Sequence, residues 1–434
     1  MPEVQVNPQK LIRKIFLHVL WLPFLLGVVS IIDRTNVGYA ALRMNAELGF
    51  TATMYGLGAG ILFLGYFLFE IPSNMLLRKL GSRFWLARIG ITWGILAAAN
   101  ALITNEATFY IIRFLLGVAE AGLFPGVILY ITFWFPAQAK ARAVALFMTA
   151  VPIASIIAAP ISGWLVGFDQ IMGIKGWQFM FVVWGLPAVI IGIILLVALP
   201  NGPDDVKWMA DDEKVWLKAQ LEVEAKSNID EGRHRFGDAF RERNTWVFSA
   251  IYFCYATGQY GMIFFLPQIL QRFNYSPAQV GLLATLPYIA GVTAMILVSR
   301  HSDKTGERLW HFTIPMFVSA VCLLGAGLTM SIPVVAIILL TLTGAGIFSA
   351  LGNFWARPTA MLTGAAAAAG FAIINSLGNI GGFAGPYAMG FLQDLAGGSN
   401  VTGLFLMSLL AVLGGLLSIF AIKGHKIAKV AHRT

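Results

Sequence analysis

Four long apolar runs dominate the chain: Phe16 to Ile32, Phe84 to Ile103, Phe179 to Leu199 and Leu404 to Ile422. Each comes close to the roughly 20 residues that a helix needs to cross the hydrocarbon core of a bilayer. Only 12% of the 434 residues are charged and the mean hydropathy is +0.76, a composition that a water-solvated surface does not tolerate. Filling in the remaining apolar stretches predicts an all-α membrane protein of twelve transmembrane helices, near 14–42, 52–77, 84–103, 107–134, 143–166, 177–199, 245–271, 277–299, 310–330, 332–355, 359–391 and 402–423. The first run is too long for a signal peptide, lacks a small-residue cleavage site and leads straight into further spans, so it reads as the first helix.

A net charge of +9 raises the question of nucleic acid, and the location of the charges answers it. With the N-terminus in the cytoplasm, 24 of the 30 Lys and Arg fall in the two tails and the even-numbered connections, while only Arg43, Lys175 and Arg272 fall outside. That asymmetry follows the positive-inside rule, so both termini are expected in the cytoplasm of a multi-pass protein of the inner (plasma) membrane, with lipid and no nucleic acid around it. Cys254 and Cys322, the only cysteines, sit in different predicted spans, where neither a disulfide framework nor a metal cluster is expected.

Residues 200–244 form the one long hydrophilic stretch, with eight Lys or Arg and eleven Asp or Glu, and read as a cytoplasmic linker between six-helix halves at 1–199 and 245–434. Within it, Asp211 to Ala225 has an acidic start followed by Val215, Leu217 and Leu221 among charges, the pattern of an amphipathic surface helix. Sliding the chain by 225 residues places Phe50 on Tyr275, Gly56 on Gly281, Lys79 on Lys304, Gly81 on Gly306, Arg83 on Arg308 and Trp85 on Trp310 without a gap. The two halves thus read as a parallel, pseudo-symmetric repeat. The turns Arg78 to Arg83 and Ser302 to Arg308 are basic and contain Gly. Tight turns and inside loops explain that composition alone, but the matched spacing favours equivalent gates, with Arg83, Asp303 and Arg308 as gate residues.

Six ionisable residues remain within the predicted spans, all in the first half: Asp33, Arg34, Glu70, Arg88, Arg113 and Glu120. A charge in hydrocarbon costs several kcal/mol unless it pairs or faces water, which makes each a functional candidate. Glu70 and Arg88 lie near a cytoplasmic end, where snorkelling suffices. Arg113, Gly117 and Glu120 share one face of the fourth helix, the glycine allowing close approach. Asp33 and Arg34 point to adjacent faces, one toward a cavity and the other toward a partner. Two buried arginines offer permanently charged forks suited to a carboxylate, and a neighbouring Asp33 or Glu120 can gain and lose a proton. The alternative is a pair of structural ion pairs, Asp33 with Arg113 or Arg34 with Glu120. The second half contributes neutral groups, Gln259 and Tyr260 in the seventh helix and Asn375 and Asn379 in the eleventh, which suit either substrate hydroxyls and carboxylates or interhelical hydrogen bonds.

The segments IIDRTNVGYAAL (31–42), GYFLFEIPSN (65–74), RFLLGVAEAGLFPG (113–126), WFP (134–136) and INSLGNIGGFAGP (374–386) carry a likeness across nearly the whole chain. Together they resemble the major facilitator superfamily and, within it, the anion:cation symporter family, most of all the branch annotated for tartrate and phthalate uptake. That resemblance implies proton-driven symport of a carboxylate by alternating access. It implies that Arg34 and Arg113 bind the carboxylate, that Asp33 and Glu120 carry the proton, that Tyr66 faces the cavity and that Asn375 contacts the substrate. The loop signature departs from the superfamily's pattern at Asn74 and Arg78, while the second-half copy keeps Asp303.

No phosphate-binding loop, metal-ligand cluster or catalytic triad is evident in the long loop, so the sequence argues against an enzyme and implies no cofactor. A proton-coupled uptake symporter for a small organic anion leads, with a monomer as the default state. Phe63, Phe348, Phe354 and Trp355 would suit an aromatic carboxylate as well as ordinary packing. An exporter or antiporter of amphipathic compounds competes, though residues 150–163 hold Pro152, Pro160 and Gly163 without the Gly-Pro pair expected of one. A non-transporting sensor would call for a large soluble output domain, which the sequence does not show.

Overall fold

The computed structural model describes residues 6–230, 238–361 and 364–420. Residues 231–237 of the expected linker and 421–423 of the expected last span lie outside the described residues. In chain order the helices are α1 Pro8–Val19, α2 Trp21–Leu48, α3 Ala52–Leu80, α4 Ser82–Ala99, α5 Glu106–Glu120, α6 Leu123–Thr132, α7 Ala137–Met148, α8 Ala150–Val166, α9 Gly176–Ala198, α10 Asp211–Asp230, α11 Asp238–Arg241, α12 Arg243–Gln271, α13 Pro277–Thr305, α14 Trp310–Leu328, α15 Pro333–Phe354, α16 Ala356–Met361, α17 Gly364–Leu395 and α18 Val401–Phe420. Every span expected from hydropathy coincides with a long helix or helix pair.

Among the described residues, nine of these helices or pairs are long and apolar enough to cross a membrane, or ten if the bent pair α1 and α2 forms one span. Two more, α12 and α17, fall outside that count although they run 29 and 32 residues. They are the helices that carry Gln259, Tyr260, Asn375 and Asn379, and polar side chains lower their hydropathy.

Three spans expected to be continuous are broken. The first turns by 45° between α1 and α2. There α1 starts on an Asn7 cap that accepts from the Lys10 amide at 3.1 Å, with Pro8 in the first turn, and buries Leu11, Ile15 and Val19 along one stripe. The fourth breaks at Ala121 and Gly122, where φ of Gly122 is +85° and an added Cβ would meet Ser73 Oγ at 2.5 Å. Only glycine meets both demands. The fifth divides at Thr149 into α7 and α8.

The repeat is visible in the backbone. Helices α3 and α13 are both 29 residues long and begin and end 225 residues apart. Each is followed by a glycine at positive φ, +85° at Gly81 and +68° at Gly306. In the linker, α10 opens on Asp211, Asp212 and Glu213, the acidic first turn that a helix dipole favours, and is tied to α1 by Lys14 Nζ to Glu213 Oε2 at 2.9 Å.

The chain falls into two compact units, one of residues 1–233, 263–285 and 386–398, the other of 234–262, 286–385 and 399–434. Within the first unit, Gly56 of α3 lies where a Cβ would meet the Pro386 carbonyl at 2.2 Å, and its repeat mate Gly281 of α13 where one would meet the Ala159 carbonyl at 2.4 Å. Asp394, at the end of α17, accepts from the amides of Ala52 (3.1 Å) and Thr53 (2.8 Å) and so caps α3 from another helix.

Candidate functional site

Helices α3 and α5 cross with their backbones in contact. A Cβ on Gly117 would meet the Leu62 carbonyl at 2.0 Å, and one on Gly65 the Phe114 carbonyl at 2.4 Å. The close approach anticipated at Gly117 is therefore real, and it brings α3 carbonyls against the α5 face that bears Arg113. The Arg113 guanidinium is fully buried, and its Nε and Nη2 donate only long bonds of 3.4 Å to the Gly58 and Ala59 carbonyls. Its Nη1 has no hydrogen-bond partner among the described residues.

Glu120 ends α5, so its carboxylate sits where the helix dipole is negative and needs compensation. Arg34 of α2 supplies it, with Nη2 donating to Glu120 Oε1 at 2.7 Å, and the Ser30 hydroxyl donates to the same oxygen. The Arg34 guanidinium also lies 5.3 Å from the Tyr66 ring and 5.6 Å from the Phe63 ring, both on α3. The structure thus joins Arg34, Glu120 and Tyr66 in one buried cluster. Ser30, a single polar residue in an apolar run, gave no sequence signal of its own.

Asp33 points the other way along the α2 surface. Its two oxygens accept from Asn36 Nδ2 and from Trp93 Nε1 of α4, each at 2.9 Å. Asp33 and Arg113 are close enough to interact electrostatically but share no hydrogen bond or ion pair, so of the two structural pairings considered only Arg34 with Glu120 is in contact. Trp93 and Asn36 were not singled out from sequence, although Asn36 stands one helical turn beyond Asp33.

The second-half candidates Gln259, Tyr260, Asn375 and Asn379 all belong to the other unit. Gln259 is buried and lines a small cavity of about 10 Å³ with Tyr255, Met316, Ser319 and Met407, room for about one water. Tyr260, Asn375 and Asn379 are partly buried. The aromatic side chains there form a continuous stack: Tyr252 lies 4.9 Å from Phe354 and 5.8 Å from Tyr255, with Trp355 5.2 Å from Tyr252.

One buried cation was missed. Arg357 falls between the tenth and eleventh expected spans, where an inside-facing arginine is unremarkable, yet on α16 it is buried and donates to the Ser418 hydroxyl and, at 3.1 Å, to the Ser418 carbonyl. It thereby ties α16 to the last described turn of α18.

Of the expected gate residues, Arg308 makes its contacts within its own turn, whereas Arg83 reaches residues of the linker. Arg308 Nη1 pairs with Asp303 Oδ1 at 2.7 Å, and Arg83 Nη2 lies 3.7 Å from Asp205 Oδ2, beyond the end of α9. Arg88 stacks over Trp85 at 3.9 Å, in keeping with a side chain that need not enter the site.

Comparison with known proteins agrees with this architecture. The family model described as Major Facilitator Superfamily matches residues 23–386. A protein of Agrobacterium vitis named "Putative tartrate transporter" is 42% identical, over 98% of each chain. A "Quinolone resistance transporter" of Acinetobacter baumannii is 39% identical, over 91% of each. A bacterial homologue of the human lysosomal transporter Spinster, solved in an inward-facing and occupied conformation, superposes with a TM-score of 0.75 at 18% identity, over 96% of this chain and 97% of that one. With the family model matched over most of its length and relatives about 40% identical over nearly all of it, the chain belongs to the Major Facilitator Superfamily and is a membrane transporter, not an enzyme.

Proposed function

We propose that the protein is a proton-coupled symporter that imports a small organic anion, a carboxylate such as tartrate or an aromatic carboxylate such as phthalate. The observation that carries this reading is Arg113, a fully buried guanidinium that, among the described residues, forms no ion pair with a carboxylate and has one nitrogen without a hydrogen-bond partner. A permanently charged, incompletely paired fork in a dry site has a strong affinity for a bidentate anion. The name of the Agrobacterium vitis relative points to the same substrate class.

Glu120 supplies the coupling. While it is ionised it holds Arg34 and accepts from Ser30. A proton on Glu120 neutralises the carboxylate and frees Arg34 to join Arg113 on the substrate, so proton and anion enter the site together. Asp33, held by Trp93 and Asn36, keeps a second protonatable group within the field of Arg113. Tyr66 stacks on Arg34 and sets its direction. Gln259, Tyr260, Asn375 and Asn379 offer the neutral donors and acceptors of the second half to a substrate hydroxyl or carboxylate. Arg83, Asp303 and Arg308 act in the gating turns. The basic turns and tails place both termini in the cytoplasm of an inner-membrane protein that works as a monomer.

A second reading, export of amphipathic compounds, draws on the Acinetobacter baumannii relative. Counterflow in proteoliposomes with radiolabelled tartrate, phthalate, hydroxyphenylacetate, a hexuronate and a quinolone separates the two. Exchange of a carboxylate that Arg113→Ala abolishes supports symport of an anion. Exchange of the quinolone alone, indifferent to Arg113, sinks the anion-binding role.

A further inference from the structure

Away from this site, the first unit carries a second basic locus. A groove of about 840 Å³ lies between one face of α1 and one face of α7, lined among others by Ile12, Arg13, Phe16 and Leu17 on α1 and by Arg142 and Leu146 on α7. The volume is within the range of sites that hold small ligands. Among the described residues, no carboxylate lines it. The neighbouring Lys14 is neutralised by Glu213, whereas Arg13 and Arg142 have no ion pair among the described residues.

The groove is held in shape from beneath. Phe16 packs on the buried Phe135 with ring centroids 4.6 Å apart, and the Arg142 guanidinium rests 5.6 Å from the Phe16 ring. A cation–π contact of this kind fixes the direction of the guanidinium without neutralising it. The walls are apolar and open at one end: Leu17 and Leu146 are exposed, and Leu146 begins a stripe of exposed Ile153, Ile157 and Ile161 that continues along α8. An exposed aliphatic stripe on a membrane-spanning helix is a surface for acyl chains. The amphipathic α1 meets α2 at 45°, a geometry suited to a helix that lies at the level of the headgroups.

We propose that this groove binds an anionic phospholipid, its phosphate between Arg13 and Arg142 and an acyl chain along the α8 stripe. Two unneutralised arginines select negative charge, and the apolar continuation selects a lipid over a free ion. Basic pockets at helix ends recognise anionic headgroups by the same combination. The leaflet is the one on the N-terminal side, cytoplasmic in the orientation proposed above. The inference is independent of the transported substrate, since none of these residues belongs to the Arg34, Arg113 and Glu120 cluster.

Native mass spectrometry of the full chain, released from nanodiscs of equimolar phosphatidylglycerol and phosphatidylethanolamine with matched acyl chains, tests it. The wild type is expected to retain phosphatidylglycerol in preference. Each basic side chain near a membrane surface contributes about fivefold, so the R13Q/R142Q variant is expected to bind it about 25-fold more weakly. R241Q/R243Q, which removes two arginines elsewhere in the chain, is expected to match the wild type, and millimolar inorganic phosphate is expected not to displace the lipid. Equal retention of the two lipids by the wild type, equal loss in both variants, or displacement by phosphate alone would overturn the proposal.

Discussion

The two halves of this transporter share a backbone repeat but not a chemistry. Helices α3 and α13 have the same length and each is followed by a glycine at positive φ. Yet the first half buries Asp33, Arg34, Arg113 and Glu120, whereas the second, among its described residues, buries one charged side chain, Arg357, which ties α16 to the last described turn of α18. Where the first half has the ion pair of Arg34 with Glu120, the second has the aromatic cluster of Tyr252, Tyr255, Phe354 and Trp355. Duplication preserved what the fold needs, short turns and close helix crossings, and left the polar positions free to diverge. On the proposed reading, charge-bearing anion and proton binding fall to the first half, and the second offers neutral contacts.

The largest effect that would break this assignment is at Arg113. A hydrogen bond to a charged group contributes about 1.5–3 kcal/mol, so Arg113→Ala is expected to weaken substrate binding about 10- to 100-fold in a counterflow assay. A change of less than twofold would move substrate recognition out of the first half.

Next is Glu120→Gln. It keeps a hydrogen-bond acceptor for Ser30 but leaves the buried Arg34 without its counter-charge, which costs about 3–5 kcal/mol where a buried pair loses one member. A lowered melting temperature is expected, together with exchange that survives while gradient-driven accumulation is lost. The double change R34Q/E120Q removes both charges and is expected to recover most of the stability, though not transport. If the double variant is no more stable than the single one, the Arg34 pairing is not what holds Glu120.

In the second half, Arg357→Gln removes a donor to the last described turn of α18, an effect of about 1 kcal/mol. A modest drop in melting temperature is expected, with substrate affinity and proton coupling unchanged. Loss of coupling in that variant would erase the contrast between the halves.

The smallest effect sharpens the comparison at Asp394, a second-half side chain that caps a first-half helix. Asp394→Ala removes the cap on α3, a loss of about 1 kcal/mol. A pair of spin labels at the α3 start and the α17 end is expected to show a broader distance distribution in the variant; an unchanged distribution would mean that the cap does not restrain these ends.

Hydropathy and charge made most of this architecture legible. The runs of about 20 apolar residues mark helices because a bilayer sets their length, and the stranded charges mark the site because hydrocarbon makes them costly. The helix breaks were not legible. Gly122 adopts positive φ at a point where Ser73 of α3 leaves no room for a Cβ, a tertiary fact that a local apolar pattern does not encode. Nor was Arg357, whose burial depends on where the last described turn of α18 comes to rest. Asp33 was identified as a charge but not with its partners, since Trp93 lies 60 residues away on α4.

The most direct test of the central claim follows substrate uptake and internal pH together in proteoliposomes under an inward proton gradient, for wild type, Glu120→Gln and Arg357→Gln. The account predicts that a carboxylate accumulates with accompanying internal acidification in the wild type and in Arg357→Gln. In Glu120→Gln it predicts that the carboxylate only equilibrates, with no proton movement. Proton-driven accumulation that persists in Glu120→Gln and fails in Arg357→Gln would contradict it and place the coupling in the second half.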